Sequence, residues 1–383
     1  MAPLGPFVFP IAIACSGGPD SLALTWLAHR WAGGRAIAFI VDHGLRDESA
    51  DEAAGVAAQL SAHGIAARVL TLRLPGGAGL QARARAARRA ALLEASHMAG
   101  AVHLLLGHHA RDQAETIIFR ALRGSGARGL AGMAPLSVAA EALLLRPLLD
   151  MPASRLAATC AAAGLRPVTD PSNTDPRFAR ARLRQVDGLE AVLAAAPAFA
   201  ARREREEAAV LARAVTCLRL LPEGCAFLDR PSLGRDATAR ALLAALVRMV
   251  GGRPHAPAAA AVARLLAAGQ GSLGGAVWRA GWLAREVGGP SIPAQPGALW
   301  DGRFRLPRDM PAEAGQVAAL GAAAAARLRA RHRHLPSLAL AALPAMRGGD
   351  AMLAKAAHLP YRETLRAGLS AARFMPIGGP LAG

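Results

Sequence analysis

The chain has 383 residues, enough for two or three domains that each bury a core. Its 45 Lys and Arg against 27 Asp and Glu leave a formal charge of +18, and every one of those bases except Lys355 is arginine. The excess favours a polyanionic partner such as nucleic acid, whereas Cys15, Cys160, Cys217 and Cys225, with no C-x-x-C pair and no His at zinc-ligand spacing, exclude a disulfide scaffold and a structural zinc. A coding preference for Arg over Lys would give the same bias, but the net charge attracts a polyanion whatever its origin.

The opening MAPLGPFVFPIAIAC is apolar, yet it has no basic start and is broken by prolines, so it reads as a buried strand rather than a secretion signal. No apolar stretch approaches the ~20 residues of a spanning helix, so no membrane is expected and a cytoplasmic location is. From there to about residue 150, apolar runs alternate with helical stretches: PIAIAC then SLALTWLAHRW, AIAFIVDHG then ESADEAAGVAAQLSAHG, ARVLTL then QARARAARRAALLEASHMAG, VHLLLGHH then ARDQAETIIFRALRG. That alternation predicts an α/β fold with a doubly wound, mostly parallel sheet. Alanine-rich amphipathic stretches from 189 to 268 predict a helical domain, GSLGGAVWRAGWLAREV a short hairpin, and GGPSIPAQPG a linker into a small C-terminal α+β segment. The expected domains are 1–188, 189–290 and 291–383.

Ligands bind at the carboxyl ends of strands in such sheets, and the chemically suggestive clusters fall there. SGGPDS lies between a strand and a helix, so its backbone N–H groups and the helix dipole favour an anion. Gly17 and Gly18 let backbone approach a phosphate, Ser16 and Ser21 offer hydroxyl donors, and Asp20 can hold Mg²⁺ against the same phosphates. The alternative is a glycine turn capped by Ser and Asp. In VDHGLR, Asp42 and His43 can cap the following helix. GHHARDQAET places Asp112 and Glu115 three apart with His108 and His109 at the helix start, an acid pair suited to a cationic amino acid or, more blandly, to a solvated face. Arg85, Arg88 and Arg89 share one helical stripe, Arg123 sits in the basic loop RGSGARGL, and Arg180, Arg182 and Arg184 lie in FARARLR, either as phosphate contacts or as solvated surface.

S-G-G-x-D-S after a first strand resembles the N-type ATP pyrophosphatase (PP-loop) family. With VDHGLRDESADE, GHHARDQAETIIFRALRGSGARGLAGM, RPLLD and TDPSNTDPRFARARLR in order, the first half is similar to the tRNA(Ile)-lysidine synthetase family; GSLGGAVWR and WDGRF add a looser likeness. The resemblance implies a ligase that adenylates the wobble cytidine of tRNA(Ile) with a CAU anticodon, expels pyrophosphate, and lets L-lysine displace AMP. It assigns the whole loop Ser16, Gly17, Gly18, Pro19, Asp20 and Ser21, with His43 and Arg46, to ATP, and Asp20 to the metal. Asp20, Asp112 and Glu115 become the catalytic acids, and Arg85, Arg88, His108, Arg123, Arg180 and Arg184 the contacts to lysine and tRNA, in a chain that can act as a homodimer. Arg111 stands where an Asp is usual, Arg89 where a Tyr is usual and Ala181 where an Asn is usual. Rival readings are a tRNA thiolase, which the unpaired cysteines disfavour, and a non-catalytic nucleotide or RNA module.

Overall fold

In the computed structural model, residues 4–44, 48–73, 77, 79–139, 141–168, 189–306, 315–347 and 373–374 are described. The first half holds β1 (Ile11–Cys15), α1 (Pro19–Trp31), β2 (Ala36–Asp42), α2 (Ser49–Ala62), β3 (Ala66–Thr71), α3 (Leu80–Met98), β4 (His103–Leu106), α4 (Ala110–Leu122), α5 (Ala127–Leu130), β5 (Leu136–Val138), β6 (Leu143–Leu145) and α6 (Ala153–Ala162). Strand order is β3-β2-β1-β4-β6-β5. All neighbours run parallel except β5, which pairs antiparallel with β6 at the edge. The expected doubly wound sheet is therefore present.

Residues Ile11 to Cys15 are buried throughout, the continuous apolar run demanded of a central strand covered on both faces. Ile11 pairs with Ala36, and Ile13 pairs with both Ala38 and Leu105. On one face Ile11, Ile13, Leu22, Leu60 and Leu156 form the core; on the other, Ala12, Phe39, Leu92 and Leu104 do. The β1–α1 and β4–α4 junctions thereby stand side by side at the carboxyl edge.

The chain divides into two compact units at 204/205. The helix Leu189–Cys217 crosses that point. Its earlier part goes with the first unit because Arg203, 7% exposed, donates to the carbonyls of Ala131 and Gly132 at 3.4 and 3.3 Å.

The second unit combines helices with small antiparallel sheets. A five-stranded antiparallel sheet of Leu218–Leu220, Ala226–Leu228, Gly271–Leu273, Ala276–Arg279 and Trp282–Arg285 carries the helices Ala237–Val250 and Ala259–Ala268 over a core of Leu242, Leu246, Trp278 and Leu283. The hairpin expected in GSLGGAVWRAGWLAREV is its last three strands. The other two strands are three residues each, too short to show alternation against an alanine-rich background. Beyond it, small antiparallel sheets surround Trp300, Phe304 and Leu340. There Asp301 accepts from both Arg285 and Arg303, the buried pairing behind the WDGRF motif.

Candidate active site at the carboxyl edge of the first sheet

The β1–α1 turn is built to leave donors open. Helix α1 starts with Pro19 at its first positions and Gly18 as N-cap, and no side chain caps it, so its first-turn N–H groups face an incoming anion. Gly17 has φ +80°, and a Cβ there would lie 2.7 Å from Val56 Cγ2, so the loop can pass only as glycine. Ser21 fastens the turn from inside: its Oγ accepts from Ser16 N at 3.0 Å and donates to Gly18 O at 3.0 Å. Ser21, bonded to the backbone of its own turn, shapes the cradle, while the exposed Ser16 hydroxyl lies 3.1 Å from it on the outer side. From beyond α6, Val168 N donates to Gly17 O at 2.9 Å and clamps the loop's outer side.

Across the edge, His109 ends the β4–α4 junction and caps α4 in a reciprocal box. Its Nδ1 accepts from Arg111 N at 3.1 Å, while Asp112 Oδ2 accepts from His109 N at 3.1 Å. That fixes the Nε2–H tautomer and aims it at the phosphate loop. Nε2 lies 3.4 Å from Asp20 Oδ2 and 3.6 Å from Asp112 Oδ2. Burial works against a charged imidazole, but the Asp20 hydrogen bond and the charges of Asp112, Asp20 and Glu115 outweigh it and raise the His109 pKa. One buried side chain thus brings together the carboxylates of Asp20 and Asp112, within the field of Glu115. The sequence reading placed His109 at the helix start but chose His108 for the site; the missed signal was the acid at the third helical position, which marks His109 as the cap.

Glu115 is 3% exposed, and Arg111 Nε approaches its Oε1 at 3.9 Å. Arg111 therefore offsets Glu115, whereas Asp112 is held by the cap. Gln113, in the same motif, is structural: its amide bonds both ways with the backbone of Met133, at 3.1 and 2.7 Å.

His43 follows β2 at the same edge and is half-buried, while His108 precedes the cap. Asp42 fixes the β2–α2 turn by accepting from Gly44 N at 2.9 Å and Ser49 Oγ at 2.7 Å. Burial and then the Arg85 charge hold the half-buried Arg88 below its ordinary value, and its electrostatic coupling to Cys15 puts it at the end of β1. Arg85 is beside it and exposed. Arg123 stands apart: it follows the last turn of α4, about 20 Å along the helix from His109, and its guanidinium lies 4.2 Å from the Phe119 ring. Arg46, Arg180, Arg182 and Arg184, with Ala181, lie outside the described residues.

The donor set fits a magnesium ion shared with a polyphosphate, since Mg²⁺ keeps most of its waters and needs only one or two carboxylates, here Asp20. Among the described residues no group of three or more His, Cys, Asp and Glu would hold a metal by itself.

A PP-loop domain family matches residues 9–187. The tRNA(Ile)-lysidine synthase of Methylobacterium sp. strain 4-46 is 44% identical over 265 residues, covering 66% of this chain and 74% of that protein. That of Rhodopseudomonas palustris is 44% identical over 245 residues, 61% of this chain and 69% of that one. That of Novosphingobium aromaticivorans is 49% identical over 179 residues, 46% of this chain, and the match spans only about half, 55%, of its length. Running through about three quarters of one lysidine synthase and the whole of the PP-loop region, these matches show that the chain belongs to the tRNA(Ile)-lysidine synthase family.

Proposed function

We propose that the chain is an ATP-dependent ligase that joins L-lysine to carbon 2 of the wobble cytidine of tRNA(Ile) with the CAU anticodon, working in the cytoplasm. The observation that carries the reading is the His109 bridge. It sets Asp20 of the phosphate loop and Asp112 of the acid pair within 3.4 and 3.6 Å of one nitrogen, so nucleotide and amine chemistry share one site.

In the first step the cytidine O2 attacks the α-phosphorus of ATP, forming a P–O bond and breaking the bond to pyrophosphate. The α1 N-terminus, the Gly17–Gly18 backbone and Ser16 hold the departing phosphates, and Arg88 adds positive charge at the end of β1. Magnesium held by Asp20 would neutralise phosphate charge. In the second step the ε-amine of lysine attacks carbon 2, a C–N bond forms, and the C–O bond to AMP breaks. Only the neutral amine is a nucleophile, so Asp112 and Glu115 first draw the ammonium in and then take up its proton.

Burial pushes all four thiols up, Cys225 to about 12, and all four are free and buried, which leaves no reactive sulfur pair for a thiolase. The test is pyrophosphate release with ATP and unmodified tRNA(Ile), followed by a lysine titration. Release without lysine, and AMP release with labelled lysine entering the tRNA only when lysine is present, is the expected result. No tRNA-dependent pyrophosphate release would leave a binding module.

A further inference from the structure

The first unit holds a second group of bases, outside the residues assigned to ATP and lysine. Arg120 Nη1 donates to Gly132 O at 2.7 Å and Gly129 O at 3.3 Å, and Arg203 Nη1 donates to the same Gly132 O at 3.3 Å. Two guanidinium groups thus meet on one carbonyl oxygen. Next to them Arg146 donates from Nη1 to Ala134 O at 2.9 Å and Ser137 Oγ at 3.1 Å, while its buried Nε has no partner. Arg89, exposed on α3, faces Arg146 electrostatically. Among the described residues no carboxylate pairs with any of the four, and the acceptors that face the cluster are backbone carbonyls and the Ser137 hydroxyl. Gathering like charges, Arg203 buried and Arg120 and Arg146 half-buried, without a counter-ion is unfavourable, and a fold that does so is short of an anion. Burial and then the charges of Arg89 and Arg120 bring Arg146 down to about 10, the same unbalanced field seen from one of its members.

The cluster's position says which anion. Arg146 follows directly on β6, which runs parallel to β4 and β1 and is two strands from β1, so its backbone stands at the same sheet edge about 10 Å across from the end of β1, while Arg120 lies farther back, about 16 Å along α4 from His109. We infer that Arg89, Arg120 and Arg146, backed by the buried Arg203, form a seat for a backbone phosphodiester of the RNA whose base enters the ATP site. The inference rests on the proposed function for the identity of the RNA. Arg203 and Arg120 stiffen the 129–132 backbone, and Arg89 and Arg146 present the charge that meets the phosphate, each as a forked donor. Such contacts position the strand and carry no sequence information.

Arg89 makes the cleanest probe because it is exposed. Full-length protein is titrated with unmodified tRNA(Ile) transcript from low to moderate salt, comparing wild type with Arg89→Ala, Arg89→Lys and Arg146→Gln. Loss of one phosphate contact lowers the slope of log affinity against log salt by about 0.7 and weakens binding roughly fivefold at low salt, while Arg89→Lys keeps the wild-type slope and loses only the affinity due to the fork. Wild-type slope and affinity in both Arg89→Ala and Arg146→Gln would overturn the seat. So would stabilisation of the wild type by inorganic phosphate that the variants lose while RNA affinity stays unchanged, since that marks a free-anion site. Thermal melts of each variant separate a folding loss in Arg146→Gln from a binding loss, and Arg89→Ala carries the test alone if Arg146→Gln unfolds. If wild type binds RNA through Arg89 but releases no pyrophosphate, the ligase reading fails and the seat stands; if it releases pyrophosphate and Arg89→Ala binds normally, the reverse holds.

Discussion

His109 Nε2 and Asp20 Oδ2 lie 3.4 Å apart, although the two residues belong to different strand–helix junctions. His109 serves two masters: Nδ1 caps α4 and Nε2 restrains the loop acid. The two can be separated, because Asn is a good N-cap but is too short to reproduce the second contact. We expect His109→Asn to stay within about 0.5 kcal/mol of wild-type stability, while His109→Ala loses about 1 kcal/mol more with the cap. Both should slow tRNA-dependent pyrophosphate release. Pyrophosphate release at the wild-type rate in a folded His109→Asn would show that Asp20 needs no such restraint.

Gly17 joins two constraints that a double substitution separates. Its φ of +80° strains any side chain, and a Cβ would stand 2.7 Å from Val56 Cγ2. Gly17→Ala should cost about 1–3 kcal/mol by denaturant unfolding and weaken ATP binding. Adding Val56→Ala removes the clash but not the backbone strain, and opens a small cavity of its own. A negative coupling energy, the double variant less destabilised than the sum of the singles, is the expected sign. Strict additivity would mean that the side-chain contact is irrelevant.

Asp42 links the edge of the sheet to acid stability. The Ser49 hydroxyl and then the Gly44 N–H hold its carboxyl below the usual carboxylate range. A depressed folded pKa means the stabilisation is complete above the unfolded value of about 3.9 and disappears as pH falls through the lower folded value. Asp42→Asn should therefore be less stable than wild type at pH 7, and the gap should begin to narrow once pH falls below the unfolded value of about 3.9. A gap independent of pH would assign the effect to geometry rather than charge.

What the sequence disclosed and what it hid divide along a physical line. The parallel sheet was legible because each strand is an apolar run and each following helix shows its own period, so Ile11–Cys15 and Pro19–Trp31 could be placed to within two residues. The phosphate loop was legible because its glycines and acid are local. Partnerships made through the third dimension were not: nothing in the string says that Arg203 anchors to Gly132 across seventy-one positions. The same limit explains Ser21, whose hydroxyl is bonded to the backbone of its own turn, and Arg123, which α4 carries away from the acids.

The Arg111–Glu115 approach of 3.9 Å makes the amine pocket testable from both sides. Glu115 is buried, so its charge acts strongly on an ammonium brought beside it, and Arg111, which is exposed, reduces that pull by offsetting it from the solvent side. Replacing Arg111 by Ala should lower the lysine concentration needed for half-maximal AMP release. Replacing Glu115 by Gln should raise that concentration by tenfold or more, on the order of the 1.4 kcal/mol or greater expected for losing one charged contact. Neither change should alter pyrophosphate release measured on tRNA before lysine is added, because His109 touches the loop acid Asp20 and Asp112, whereas Arg111 and Glu115 lie on the far side of that contact along α4. Two readouts over one lysine titration decide the matter. If Glu115→Gln instead blocked pyrophosphate release and left the lysine dependence untouched, the buried acid would belong with Asp20 at the nucleotide, and the amine would have to be held by Asp112 alone.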